Sequence, residues 1–425
     1  MALKSQHHAH TNPAHSHHHH HGPNRRDFLG SLIAASFLPP WGFARDHTES
    51  PAEMAEHFRR MSEDYEKEGL AEPFRGITTN GHVEPALFQI SPTGVSTEPV
   101  RSAAEKFIAT LSSVQLARTL FYVDDVQWRK WMNQHFYVRA GISLQEMTKP
   151  QRDAAFGLMR ASLSAKGLEL TRNIMRLNET LAELTNDHVF LGEDLYFFTI
   201  LGRPSATEPW GWQLSGHHAI SNYFVLGDQV VMTPLFVGSE PVRAPSGKYK
   251  GLVILQQEQN DGLEMLRALP DAQRQRAVLT ISKTGNNNLT EAFKDNVTLD
   301  YAGLRAKELP DAARKRLRDL INLYVSNMDD GHARVKMDEV DRHIDNTWFA
   351  WIGGAQQDSV FYYRIQSPVV LIEFDHQRPA NLAKFAQDPQ KPTQQHIHCV
   401  VRTPNGNDYG KDLLRQHYLA HPHTA

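Results

Sequence analysis

The separation of helix-patterned and strand-patterned segments into successive blocks limits the folds open to this chain more than any other feature. Residues 100–186 repeat apolar side chains at three- and four-residue spacing, as amphipathic helices do. Strand-like runs follow, and a second helical block spans roughly residues 255–325. Separate blocks, as opposed to strict alternation, predict an α+β fold: a mainly antiparallel sheet with two helical blocks packed around it.

The predicted strands are short runs rich in aromatic and β-branched residues. They read HVEPALFQI, LYFFTILG, GWQLSGHHAISNYFVL, QVVMTPLFV, VFYYRIQSPVVLIEFD and HIHCVVRT. The chain of 425 residues is longer than most single domains. We expect a single α+β domain over residues 96–425, preceded by an N-terminal arm over residues 45–95.

Residues 1–44 have the composition of a tail followed by a targeting segment. The histidine-rich start is either an expression tag or a native metal-binding tract, and neither bears on the fold. Arg25 and Arg26, followed by a short apolar stretch, predict a twin-arginine-type signal peptide. We therefore expect a periplasmic or otherwise exported protein that engages the twin-arginine export machinery. The stretch is too short for a comfortable membrane span, so none is expected in the mature chain.

Charge and cysteine content exclude several classes of function. A formal net charge of -3 argues against nucleic acid as the main partner. The single cysteine, Cys399, rules out an intramolecular disulfide and any cysteine-rich zinc or iron–sulfur site. Any bound metal must therefore have nitrogen and oxygen ligands.

The strongest local signal is the segment QQHIHCVVR near the C-terminus. Side chains at i and i+2 of a strand point the same way, so His396, His398, Val400 and Arg402 share one face. Ile397, Cys399 and Val401 share the other face, which we expect to be core. Two imidazoles on one strand face can both reach a single cation. The alternative is a pair of surface histidines on an edge strand.

A second histidine pair lies in GWQLSGHHAISNYF. His217 and His218 are consecutive, so in a continuous strand they point to opposite faces and only one joins a shared site easily. A histidine buried among apolar groups needs a partner, and a metal or a carboxylate supplies one. The sequence leaves open which of the two faces inward.

Glu373 is the third candidate ligand. It lies in the apolar run Val369–Phe374, where a carboxylate is costly unless it is paired or coordinated. Glu373 with two or three histidines would form an open nitrogen–oxygen set for a divalent Zn, Fe, Mn or Cu ion. The alternative is an ion pair of Glu373 with an arginine, for which the candidates are Arg364, Arg378 and Arg402.

The segment RTPNGNDYGKDLL contributes two further candidates. Its Pro, Asn and Gly residues predict a turn before a closing helix. Arg402 and Asp408 remain candidates for orienting a substrate or a ligand imidazole. The predicted catalytic residues are therefore Glu373, Arg402 and Asp408, with Arg402 holding an anionic group of the substrate.

The segments GWQLSGHHAISNYF, NTWFAWIGG, YYRIQSPVVLIEFD and HIHCVVRTPNGNDYGKDLLRQHY together resemble domain-of-unknown-function family number 3500. The likeness covers most of the chain after about residue 95. The family is mostly bacterial and commonly exported, and the resemblance implies no particular activity. The candidate residues that stand in these segments are His217, His218, Glu373, His396, His398, Arg402, Asp408 and Tyr409.

Three functions fit these observations. The first is an exported metal-dependent enzyme acting on a small, anionic substrate, with redox chemistry slightly favoured over hydrolysis because proteins on the twin-arginine route often carry inserted metals. The second is a non-catalytic binding protein for a metal or small ligand. The third is a structural scaffold whose histidines are merely hydrogen-bonded.

Overall fold

The computed structural model describes residues 50–422, so the predicted histidine-rich tail and signal peptide lie outside the described residues. The helices of the described part are α1 (Pro51–Gly69), α2 (Glu98–Ala109), α3 (Ser113–Thr119), α4 (Lys149–Ser162), α5 (Ala165–Thr185), α6 (Gln256–Arg267), α7 (Asp271–Ala277), α8 (Asp311–Val325), α9 (Asp330–Arg342) and α10 (Lys411–Ala420). Several begin at the capping signals of the sequence. Ser50, for example, caps α1 in a reciprocal box with Glu53.

The strands are β1 (Leu120–Phe121), β2 (Ile142–Ser143), β3 (Tyr196–Gly202), β4 (Trp210–Gly216), β5 (Ala219–Leu226), β6 (Gln229–Val231), β7 (Leu235–Ser239), β8 (Val278–Thr280), β9 (Leu304–Arg305), β10 (Trp348–Gly353), β11 (Phe361–Gln366), β12 (Leu371–His376) and β13 (Ile397–Arg402). The predicted strand HVEPALFQI forms turns and irregular chain, without strand pairing. Pro85 in its middle lacks the N–H that a strand interior requires, which explains the error.

These strands form one sheet in the order β1-β3-β4-β5-β7-β13-β12-β11-β10-β8, with β2, β6 and β9 paired beside β3, β5 and β10. The predicted α+β class is confirmed, but the sheet is mixed and not mainly antiparallel. β1 runs parallel to β3, and β8 runs parallel to β10. Both parallel partners are two- or three-residue strands reached by long connections, and the sequence pattern of such short pieces carries no signal of direction.

One face of the sheet is apolar and carries the helices. Ile397, Cys399 and Val401 belong to the main core cluster, which also contains side chains from α4, α5, α6 and α8. The prediction that these three residues of β13 face the core is confirmed. Val400, from the other face of the same strand, joins a separate cluster with Trp128 and Trp131.

The opposite face of the central strands is polar. Glu373 and Asp375 on β12 lie directly opposite Val400 and His398 on β13, so the four side chains share this face. All four are buried. Burying charged groups on a sheet face requires partners, and irregular chain that crosses the face provides them.

The two consecutive histidines do not lie in a strand. β4 ends at Gly216 and β5 begins at Ala219, and these two residues pair, so His217 and His218 form a two-residue hairpin turn. The expected continuous strand is therefore wrong at this point. Turns of this kind favour Gly, Asn or Asp, which the dipeptide His-His lacks, so the sequence carried no signal for the turn.

Within residues 50–422, none of the helices combines the length and the apolar composition needed to cross a bilayer.

Candidate metal centre

The β4–β5 turn brings His218 over the polar face of the sheet. His218 has a φ of 61°, a left-handed conformation that few non-glycine residues adopt and that costs roughly 1–2 kcal/mol. Two backbone hydrogen bonds hold it there: its N–H donates to the Asn133 carbonyl (3.2 Å), and the Gly238 N–H donates to its carbonyl (2.9 Å). Residues in such sparsely populated conformations concentrate at functional sites.

Gly238 makes the space that the His218 ring occupies. A Cβ at this position would lie 3.1 Å from His218 Cδ2 and 2.6 Å from the Ile397 carbonyl oxygen. Gly238 is also the β7 partner of His398. A side chain here would therefore push the turn away from the β13 histidines.

The Gly238→Ala variant is expected to lose about 1–3 kcal/mol of unfolding free energy through this overlap and to bind metal more weakly. Denaturant unfolding and metal titration measure the two effects. Gly157→Ala is the matched control, since no atom lies within 4 Å of the Cβ that it would gain in α4. Unchanged metal affinity in Gly238→Ala would contradict this account of the site.

His396 and His398 reach the same point from the edge of β13. His396 immediately precedes the strand, and His398 is its second residue. The alternation of a strand then points both imidazoles to the polar face, as the sequence predicted. All three imidazoles are buried: His218 is 4% exposed, His396 5% and His398 3%.

The three Nε2 atoms form a nearly equilateral triangle. They are separated by 3.3 Å (His218–His396), 3.1 Å (His218–His398) and 3.0 Å (His396–His398). For bonds of about 2.0–2.1 Å to one ion, tetrahedral angles separate two nitrogens by about 3.3 Å and octahedral right angles by about 2.9 Å. The triangle therefore has the dimensions of three ligands on one face of a metal ion.

Hydrogen bonds at the far ring nitrogens orient two of the imidazoles. His396 Nδ1 lies 2.6 Å from the Arg378 carbonyl oxygen, which can only accept, so this nitrogen carries the proton. His398 Nδ1 donates to Glu291 Oε1 at 2.7 Å, and Asn288 Nδ2 donates to the same oxygen. Both imidazoles therefore present Nε2 lone pairs to the centre, as metal-ligating histidines with such partners do.

The environment keeps the imidazoles of His218 and His398 neutral. Burial, and then the neighbouring imidazoles of the cluster, lower the pKa of His218 and of His398 well below its ordinary value. The Nε2 atoms of His396 and His398 lie 3.0 Å apart, and two acceptor nitrogens at this distance repel each other unless a cation, or a proton on the third imidazole, lies between them. A divalent ion would satisfy all three lone pairs at once.

Two carboxylates flank the cluster. Burial raises the pKa of Glu291 to about 7, against the lowering effects of Asn288 and His396. Glu240 lies 4.0 Å from His396 Nδ1, and its oxygens accept hydrogen bonds from the backbone N–H groups of Ala380, Asn381 and Leu382. The sequence carries no signal for either residue, since each is an ordinary acid in an irregular segment, without a pattern that distinguishes it.

His217 is not part of the cluster, although it was a candidate ligand. Its Nδ1 lies 2.8 Å from Asn178 Oδ1, and its ring stacks on the His218 ring with centroids 4.0 Å apart. Of the two residues that the sequence left open, His218 is the one that the structure places at the centre. The ring of half-buried His135 packs edge-on against the His217 ring, with centroids 5.6 Å apart, and no pattern in the sequence predicted this contact.

Glu373 also lies outside the cluster. In the described part of the chain, the only group of three or more potential ligand side chains within reach of one ion is His218, His396 and His398. The Glu373 carboxylate accepts instead from the N–H groups of Leu289 and Thr290 and from the hydroxyls of Thr290 and Tyr362. Arg364, one of the three arginines proposed as the alternative partner of Glu373, lies opposite it on β11.

Arg402 and Asp408 are brought together, but in a different place. Arg402 is fully buried, donates to Asp295 Oδ1 at 2.9 Å and lies 3.4 Å from Asp408 Oδ2. Asp408 Oδ1 accepts from the Thr403 N–H, and burial raises its pKa to about 6. These contacts hold the segment after β13 to the sheet. The structure shows no contact of either residue with the histidine cluster.

Fold and site thus define an α+β protein with a buried tri-histidine cluster. Residues 93–411 match the family described as Protein of unknown function (DUF3500), and the chain belongs to this family. The match includes every residue of the cluster. Neither the curated proteins nor the solved structures contain a match to this chain.

Proposed function

We propose that this protein is an exported enzyme that uses a divalent metal ion held by His218, His396 and His398. The observation that carries the proposal is the convergence of three Nε2 atoms to within 3.0–3.3 Å of one another. Two supporting hydrogen bonds fix the imidazole tautomers that coordination requires.

The number of ligands supports catalysis over a purely structural metal site. Structural zinc sites are closed by four protein ligands, whereas catalytic sites supply three and keep a position for water or substrate. An ion bound here would lower the pKa of a bound water or act as a redox centre. An all-imidazole donor set suits Zn, Cu and Fe, whereas Mn prefers oxygen ligands, so the donor set does not choose between hydrolysis and redox chemistry.

We favour redox chemistry over hydrolysis because the predicted twin-arginine route often carries proteins with preloaded metals. The substrate is proposed to be a small molecule. The predicted role of Arg402 in holding an anionic group has no support in its contacts, since Asp295 and Asp408 already surround this guanidinium.

The experiment is a turnover screen of the full chain loaded separately with Zn, Cu, Fe(II) and Mn. Oxygen consumption, peroxide consumption and ester hydrolysis are followed in parallel. We expect oxidative turnover with a redox metal and none with zinc, and loss of this turnover in His398→Ala. Zinc-supported hydrolysis that His398→Ala abolishes would overturn the redox assignment, and activity that is unchanged in His398→Ala would overturn the site.

A non-catalytic metal-binding protein is the second candidate. The observation that favours it is the burial of all three histidines, each at most 5% exposed as a residue. Stoichiometric metal without turnover in any arm of the screen would support this reading.

A further inference from the structure

An irregular segment before α8, residues 283–295, crosses the polar face of the sheet and is called the strap here. Along its length it contacts side chains of β12 and β13 that point to this face. Lys283 pairs with Asp375 at 2.7 Å, with both side chains fully buried, and the Asn287 N–H donates to the same carboxylate. At the far end, Asp295 pairs with Arg402.

Glu373 anchors the middle of the strap. Its Oε1 accepts from the Leu289 N–H (2.9 Å) and from the Tyr362 hydroxyl (2.7 Å). Its Oε2 accepts from the Thr290 N–H (2.9 Å) and from the Thr290 hydroxyl. Four donors therefore converge on one fully buried carboxylate, and three of them belong to two consecutive residues of the strap.

The next residue of the strap is Glu291. Its Oε1 accepts a hydrogen bond from the proton-bearing Nδ1 of His398 at 2.7 Å. Consecutive Cα atoms are about 3.8 Å apart, so a slip of one residue would carry the Glu291 carboxylate out of hydrogen-bond range. The anchoring of Leu289 and Thr290 at Glu373 therefore sets where the Glu291 carboxylate lies.

We propose that Glu373 is a positioning residue of the metal centre, acting through Thr290 and Glu291 on His398. The sequence predicted that Glu373 binds the ion directly, whereas in this role two hydrogen-bonded contacts separate Glu373 from the ligand His398. The inference rests on the proposed function, because it requires that the histidine cluster binds a metal.

The test compares Glu373→Gln, Glu291→Gln and the double variant in the full chain, loaded with cobalt(II). In Glu373→Gln the amide NH₂ group would face the N–H and hydroxyl donors of Leu289 and Thr290, and two donors cannot form a hydrogen bond with each other. Cobalt affinity and the visible ligand-field bands are measured, because the bands report the geometry of the ion and not global stability. A His396→Ala/His398→Ala variant supplies the background from the N-terminal histidines.

Glu373→Gln is expected to weaken cobalt binding about tenfold and to shift the bands as Glu291→Gln does, since loss of such outer contacts typically costs about 10–100-fold. The double variant is expected to bind no more weakly than Glu291→Gln alone, because both changes break one chain of contacts. Thr290→Val, a milder change that removes one donor to Glu373, is expected to give a smaller loss in the same direction.

Glu258→Gln is the matched control. Glu258 is a buried residue of α6, and its backbone carbonyl accepts from the Tyr363 hydroxyl on the apolar side of the sheet. Replacement of its carboxylate should therefore leave the bands unchanged. Cobalt affinity and bands that are unchanged in both Glu373→Gln and Thr290→Val, in a wild-type chain that binds cobalt, would overturn this inference alone. A wild-type chain that binds no more cobalt than the His396→Ala/His398→Ala variant would overturn the proposed function with it.

Discussion

The His398→Ala variant is expected to bind zinc or copper at the central site more than about 100-fold more weakly than the wild type. Loss of a contact to a ligand costs about 10–100-fold, so loss of the ligand itself should cost more. Removal of His398 would also leave the Glu291 carboxylate without its imidazole partner. Competition with a chelator of known affinity measures the change.

His376→Gln is the control for this experiment. His376 is buried at the end of β12, where its Nδ1 accepts from the Phe361 N–H and its Nε2 contacts Gln259. It belongs to the other face of the sheet, so its replacement should disturb folding without altering metal affinity. Because all variants carry the same N-terminal histidines, any difference between them arises from the substituted residue within residues 50–422. Equal affinity of His398→Ala and the wild type would contradict the assignment of the ligands.

The Asp295→Ala variant is expected to lose about 3–5 kcal/mol of unfolding free energy, since it leaves the buried Arg129 without its carboxylate partner and removes one of the two carboxylates beside Arg402. Asp295 accepts from Arg129 at 2.8 Å, from Arg402 at 2.9 Å and from Tyr409 at 3.0 Å. Trp131 extends the network by donating to the Tyr409 hydroxyl. Urea or guanidinium unfolding, followed by circular dichroism, measures the loss.

Asp153→Ala is the matched control for Asp295→Ala. Asp153 pairs with Lys149 on the surface of α4, where both side chains are mostly exposed, and pairs of this kind contribute little. We expect no measurable change in its unfolding transition. A similarly small effect in Asp295→Ala would show that the network does not hold the strap and the segment after β13 in place.

The alternation of β13 was readable from the sequence because both faces of that strand have a strong character. Ile397, Cys399 and Val401 are apolar, while His396 and His398 are polar. Because successive side chains of a strand point to opposite faces, the apolar set points to the core and the two histidines point to the other face. The structure confirms both faces. The α+β class followed in the same way from long segments of clear periodicity.

The rest of the site depends on contacts that no local pattern encodes. His218 and His398 are 180 residues apart, and Glu291 lies 107 residues before His398. His218 points to the cluster and His217 does not, because the two residues form a turn, and this turn lacks the usual turn residues. Glu373 was recognised correctly as a buried carboxylate in need of partners, but two of its four donors are backbone N–H groups, which leave no trace in a sequence. The other two are the hydroxyls of Thr290 and Tyr362.

The most direct test of the central claim is a crystal structure of the metal-loaded full chain, with anomalous differences recorded at the absorption edge of zinc or copper. The account predicts one strong peak about 2.0–2.1 Å from the Nε2 atoms of His218, His396 and His398. A map without a peak at this point, from crystals in which the metal is bound elsewhere, would contradict it.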